Sequence, residues 1–124
     1  MDQLSLGAQF AHALSAKDFD GIARMLHAEV DFRALTPGDL WEATGPDDVI
    51  EQVLQQWFED DDVIEALELL ETDSFADRAR VGYRFLIRNP RGMFRVEQQA
   101  YLTEREGRIG WMRVLCSGLR ETDA

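Results

Sequence analysis

The chain has 124 residues, 45% of them hydrophobic and 30% charged, which is the length of one domain and the balance of a folded rather than a disordered protein. Thirteen Lys and Arg against 24 Asp and Glu leave a formal net charge of -11; that charge repels phosphate backbones and anionic lipid, so neither nucleic acid nor a membrane is an expected partner. A single cysteine, Cys116, excludes an internal disulfide and a thiolate zinc site and suits a reducing compartment.

The opening Met1-Asp2-Gln3-Leu4 has no positively charged side chain, and no run approaches the roughly 18 apolar residues of a membrane span, so a cytoplasmic location is expected. From Leu4 to Lys17, Leu6, Phe10, Ala13 and Leu14 fall on one face at helical spacing. Asp18 reads as the N-cap of a second short helix, Phe19 to Leu26, with Phe19, Ile22 and Leu26 at intervals of three and four. Val30, Phe32 and Ala34 then alternate with Asp31 and Arg33, the pattern of a half-buried strand, which Thr36-Pro37-Gly38-Asp39 ends with turn chemistry. A brief strand over Leu40 to Ala43 follows. Gly45-Pro46-Asp47-Asp48 sets proline and carboxylates in the first turn of a third helix running to about Phe58. Its apolar residues Val49, Ile50, Val53, Leu54 and Trp57 form a stripe wide enough to lie across a sheet.

The remainder changes period. Val63 to Phe75, Ala79 to Arg88, Met93 to Arg105 and Ile109 to Gly118 are extended stretches divided by turn residues, an expected antiparallel meander. In the second, Val81, Tyr83, Phe85 and Ile87 alternate with Arg80, Arg84 and Arg88, so the apolar face needs a cover. Three helices under a curling sheet supply one, an α+β arrangement that leaves a cone. No repeat or linker divides the chain, so one domain over 1–124 is expected.

This order of elements, with the segment Phe10 through Ile22, Gly45 through Val49 and the final strand Arg108 to Gly118, resembles the nuclear transport factor 2-like superfamily. Within it the likeness is to the SnoaL-like and ketosteroid isomerase-like proteins. The resemblance implies a cone-shaped, curved antiparallel sheet wrapped around three N-terminal helices, a cystatin-like roll. It does not carry the isomerase machinery: matching by position puts Phe10 where the family has a tyrosine, Ala34 where it has the base and Gln99 where it has the acid. Phenyl and methyl groups cannot exchange protons, and an amide only hydrogen-bonds. The scytalone dehydratase-like relatives use a strand histidine, whereas His12 and His27 fall on a helix and just after one.

Alternation and alignment together predict an interior lined by Val30, Phe32, Ala34, Val81, Tyr83, Phe85, Met112, Val114 and Cys116, with Phe10, Leu14 and Trp57 closing it from the helices. The match at Gln99 makes Glu97 and Tyr101 its inward neighbours. The implied function is a SnoaL-like pocket protein for a hydrophobic, polyketide-, steroid- or terpenoid-like ligand. If it is catalytic, it is a cofactor-independent isomerase, cyclase or dehydratase with Glu97 as base and Gln99 or Tyr83 polarising a carbonyl. The alternative is a non-catalytic ligand-binding or dimeric scaffold module. Glu97 as a cross-strand partner of an arginine, Cys116 and the tyrosines as packing residues, and His12 as a solvated side chain are the structural readings. Asp31 and Arg33 read as a surface ion pair. Glu59-Asp60-Asp61-Asp62 lacks calcium-loop spacing and reads as a solvated acidic loop, so no metal and no cofactor is implied. Trp111, on the face of Ile109, Arg113 and Leu115, points to a homodimer through the outer sheet face.

Overall fold

The computed structural model describes residues 5–123; the opening Met1-Asp2-Gln3-Leu4, on which the location was read, lies outside the described residues. Ser5 caps the first helix, its hydroxyl accepting the amide of Ala8, and α1 (Leu6–Ser15) buries Gly7, Ala8, Phe10, Ala11 and Leu14. At Gly7 a Cβ would sit 2.9 Å from that of Val81, so glycine lets the helix lie directly on the sheet. Lys17 reverses the chain with a left-handed backbone, φ 53°, and Asp18 caps α2 (Phe19–Met25) by accepting from the amide of Gly21. The strand β1 (Leu26–Thr36) turns into β2 (Asp39–Thr44). A continuous helical stretch follows: α3 (Pro46–Asp48), a π-helical segment (Val49–Leu54) and α4 (Gln55–Trp57). The remaining strands are β3 (Val63–Phe75), β4 (Arg78–Asn89), β5 (Gly92–Arg105), β6 (Arg108–Cys116) and the short β7 (Arg120–Glu121).

Among the described residues the strands form one sheet in the order β2-β1-β6-β5-β4-β3, with β7 beside the first residues of β5. Its two ends, β2 and β3, do not meet, so the sheet curves without closing. One expectation is corrected here. The sheet is mixed, because β1 runs parallel to β6; the chain returns to its first strand only after the meander, on the edge that the β1–β2 hairpin leaves open. Register shifts at 64/66 and 67/69 in β3, and at Gly110 of β6 opposite 103/104, supply curvature, since a bulge bends the strand that carries it.

The concave face holds the core. Rings fill much of it: Phe10, Tyr83, Phe85 and Phe58 run in sequence with centroids 6.4, 5.1 and 5.9 Å apart, and Phe32, Trp57 and Trp41 make a second group at 6.2 and 6.0 Å. Among the described residues no helix is long and apolar enough to cross a membrane.

Candidate ligand cavity

Tyr83, Gln98 and Cys116 lie side by side on β4, β5 and β6, since Tyr83 pairs with Gln98 and Gln98 with Cys116. Their side chains share the concave face near its open end. There the chain leaves β6, turns at Gly118 (φ 78°) against the ring of Pro37, and reaches β7. The turn, the helix end and the sheet border a half-open cavity of about 150 Å³ lined by Thr36, Trp57, Phe58, Val96, Gln98, Cys116, Gly118 and Leu119. Larger clefts, of about 460 Å³ beside 44–48 and about 500 Å³ beside Gly92 and Glu121, are rimmed by acidic side chains and do not reach this face.

Gln98 is 1% exposed and Tyr83 2%, and the Tyr83 hydroxyl donates to Gln98 Oε1 at 2.5 Å. Burial pushes the Tyr83 phenol far above the ordinary tyrosine range, with the Cys116 thiol adding to the shift. It therefore stays a donor and cannot act as a base. Among the described residues two buried side-chain donors have no partner: Gln98 Nε2 and Trp57 Nε1. Cys116 Sγ accepts from the amide of Gly118 at 3.3 Å. No carboxylate, imidazole or ammonium group is among the residues lining the cavity, whose polar side chains are Thr36, Trp57, Gln98 and Cys116.

The expected site residues divide sharply. Trp57 and Cys116 line the cavity. Tyr83 stands behind it, bonded to Gln98. Phe10, Leu14, Phe32, Ala34, Phe85, Met112 and Val114 are buried as expected, but in the packed core and not around the cavity. Glu97, Gln99 and Tyr101 correct the expectation. All three are exposed on the convex face, because Val96, Gln98, Ala100 and Leu102 take the concave side of β5. Glu97 is held by Arg84 at 2.6 Å, the cross-strand pairing its position dictates, and with Gln99, Leu115, Cys116 and Ser117 it borders an outer groove of about 280 Å³. A shift of one residue inverts every side chain of a strand, and the positional match at Gln99 carries that shift. Gln98 is the inward polar residue that the positional match passes over, although the run of Val96, Ala100 and Leu102 on alternate positions marks its face.

Other expectations resolve outside the cavity. His12 is exposed, Asp31 pairs with Arg33 and Arg113 on the convex face, and Ile109 is buried, not on the outer face with Trp111. The acidic loop is not wholly solvated. Asp62 is 4% exposed, its carboxylate accepting from the Glu59 amide and from Asn89 Nδ2, while Lys17 Nζ binds the carbonyls of Glu59 and Asp62. Glu59, Asp61 and Asp62 bring carboxylate oxygens within 4.8 Å of one another, but the one buried carboxylate among them is committed to shaping the loop.

No family model matches the sequence, and no curated protein shows significant similarity to it. Solved structures match in three dimensions. A proposed isomerase from Rhodopseudomonas palustris superimposes with a TM-score of 0.75 at 18% identity, over 95% of this chain and 93% of that one. A proposed polyketide cyclase from Xanthomonas campestris gives 0.69 at 16%, over 89% and 86%. A hypothetical protein with a ketosteroid isomerase-like fold from Catenulispora acidiphila, in complex with trimethylamine, gives 0.68 at 12%, over 94% and 88%. At such identities the likeness is one of architecture, and chemistry has to be argued from the site. The helices under a curved, unclosed mixed sheet, matched across nearly the whole chain, give this protein the α+β nuclear transport factor 2-like fold.

Proposed function

We propose that this chain binds a small, mostly apolar molecule in the cavity between Trp57, Gln98 and Cys116, and that it does so without acid–base chemistry. The observation that carries the reading is the lining itself: a half-open pocket walled by Phe58, Val96, Leu119 and Trp57 with a few polar atoms, the composition of a small-molecule site. The Catenulispora protein is in complex with trimethylamine, a molecule of few atoms, which supports a small occupant here. An isomerase, cyclase or dehydratase built on Glu97 loses its base, because that carboxylate is on the convex surface in an ion pair with Arg84. A polycyclic ligand loses its room, since drug-sized molecules take about 300–1,000 Å³ and the cavity offers about 150 Å³.

We further propose that two copies pair through the convex face. Leu40, Leu35 and Leu115 are register neighbours on β2, β1 and β6 and are 61%, 53% and 62% exposed. Such a row, flanked by Arg33, Arg113 and Glu42, is self-complementary in the way a two-fold interface requires. The cavity reading is tested by native mass spectrometry of the purified protein together with a one-ring fragment screen by NMR. The expected result is a bound small molecule, or fragments shifting Trp57, Gln98 and Cys116 resonances. Fragments that shift only residues of the outer clefts overturn it.

A further inference from the structure

Building on the cavity reading, we infer that residues 117–122 form a hinged strap that closes one side of the cavity with Leu119, and that its release admits a larger, uncharged apolar molecule. The strap supplies part of the lining itself, through Gly118 and Leu119. Leu119 packs partly buried against the core and is the one large apolar side chain in Ser117-Gly118-Leu119-Arg120-Glu121-Thr122. Ser117, Arg120 and Glu121 are exposed. A single apolar side chain therefore seats the strap, in space that a ligand would use.

The rest of the strap is held lightly. Ser117 stays with β5, its amide donating to the Glu97 carbonyl and its hydroxyl accepting from the Glu97 amide, both at 2.9 Å, so the hinge lies beyond it. Gly118 follows in a left-handed conformation, φ 78°, which glycine can enter or leave at little steric cost. β7 then pairs for two residues with Phe94 and Arg95, and among the described residues no strand lies on its other side. At its end the Thr122 amide donates to the Met93 carbonyl at 3.0 Å, and the Arg95 guanidinium donates to Thr122 Oγ1 at 2.6 Å. Arg95 is fixed to the sheet by two bonds to the Glu68 carboxylate, at 2.8 and 3.2 Å, so Thr122 is the partner that can leave. A terminal element with so few bonds and one apolar anchor opens at well below the free energy of unfolding, while β6, paired on both sides, stays in place.

Opening lengthens the apolar wall. Phe94, Val96 and Gln98 share one face of β5, and withdrawal of Leu119 extends the lining from Val96 toward Phe94. No charged side chain lines the cavity, and an unpaired buried charge is strongly disfavoured, which keeps the occupant neutral. With the strap in place, about 150 Å³ suits a benzene-sized guest; a two-ring molecule needs the strap displaced.

Toluene and naphthalene test this on the full chain by ¹H–¹⁵N NMR titration, together with native-state hydrogen exchange. The variant is Thr122→Val, which keeps the shape of the side chain and removes the oxygen that Arg95 holds. Corrected for intrinsic rates, the Thr122 amide of the parent should exchange at least about 100-fold faster than the central amides of β4. The substitution should speed exchange at position 122 by about a further tenfold and leave the β4 amides unchanged. It should tighten naphthalene by a similar factor and move toluene by less than about twofold, because only the two-ring guest draws on the open form. Protection of Thr122 equal to that of β4, or a naphthalene affinity unmoved by the substitution, overturns the strap and leaves the cavity reading standing. Shifts from neither probe at Trp57, Gln98 or Cys116 overturn both.

Discussion

The Tyr83–Gln98 pair allows a sharp test of how buried polar atoms are accounted for in this core. The native protein has one buried bond, Tyr83 Oη to Gln98 Oε1, and one orphan on the same amide, Nε2. Tyr83→Phe leaves Oε1 unsatisfied as well, and a buried acceptor stripped of its partner costs about 1–3 kcal/mol. Gln98→Leu strands the Tyr83 hydroxyl at a similar cost but removes the orphan nitrogen, so the two changes offset and the variant should lie within about 1 kcal/mol of the parent. The double variant has no polar atom left at this place. Replacing both partners by apolar groups of similar shape is neutral or favourable, and the orphan is gone too, so it should exceed the parent by about 1–2 kcal/mol. Urea unfolding with a constant slope reads this directly: at a slope near 2 kcal/mol/M, Tyr83→Phe should lower the midpoint by about 1 M. A Tyr83→Phe variant as stable as the parent, or a double variant below Tyr83→Phe, would refute the reasoning.

Tyr83 also sets an alkaline limit. Its phenol is raised in the folded state by burial, so its contribution is whole below the unfolded value near 10 and is lost as pH rises above it, at about 1.4 kcal/mol per pH unit. The stability gap between the parent and Tyr83→Phe should therefore be about 1.4 kcal/mol smaller at pH 11 than at pH 8, and a constant gap contradicts the assignment. Leu115→Arg on the exposed leucine row should shift sedimentation toward monomer while leaving the urea slope per chain unchanged; an unaltered sedimentation coefficient removes this face from the interface. Deleting the exposed Gln52 from the π-helical segment should be tolerated to within about 1 kcal/mol, whereas deleting the exposed His12 from α1 swings Leu14 about 100° out of the core, at a cost of about 2–5 kcal/mol. Equal losses from the two deletions, measured by thermal unfolding, count against this account.

The fold was legible because period and punctuation agree over most of the chain. Apolar alternation in Val81, Tyr83, Phe85 and Ile87 locates both faces of β4, and the buried set is the expected one. The candidate site was far less legible, for a reason visible in β5. There the polar residues outnumber the apolar ones in Glu97-Gln98-Gln99, and a buried glutamine looks the same in sequence as two solvated neighbours. What separates it is the phase set by Val96, Ala100 and Leu102, a signal that positional matching to a family overrode. Ile109 escaped for a related reason. Gly110 and the register shift at 103/104 reset the phase of β6, and alternation carried through a bulge names the wrong face. The parallel pairing of β1 with β6 joins strands far apart in sequence, and no local pattern encodes it.

The helical stretch 46–57 was read correctly as one element with one buried face, yet its spacing held more. Val49, Val53 and Trp57 are four apart, as are Ile50, Leu54 and Phe58. In a regular α-helix a four-residue step overshoots a full turn by about 40°, so Val49 and Trp57 would end on faces about 80° apart. All six are nonetheless turned to the sheet: Val49, Ile50, Val53, Leu54 and Phe58 are buried, and Trp57 packs against the same core. A wider π turn absorbs the overshoot, and the one in this chain spans 49–54, between the first and last members of both columns. Removing one residue would restore a spacing of seven between the first and last members of each column, which drifts only about 20° in an α-helix. The π turn is thus the geometric consequence of a strict period of four. It delivers Trp57, with its unpartnered N–H, to the rim of the cavity while Phe58 stays in the ring stack below.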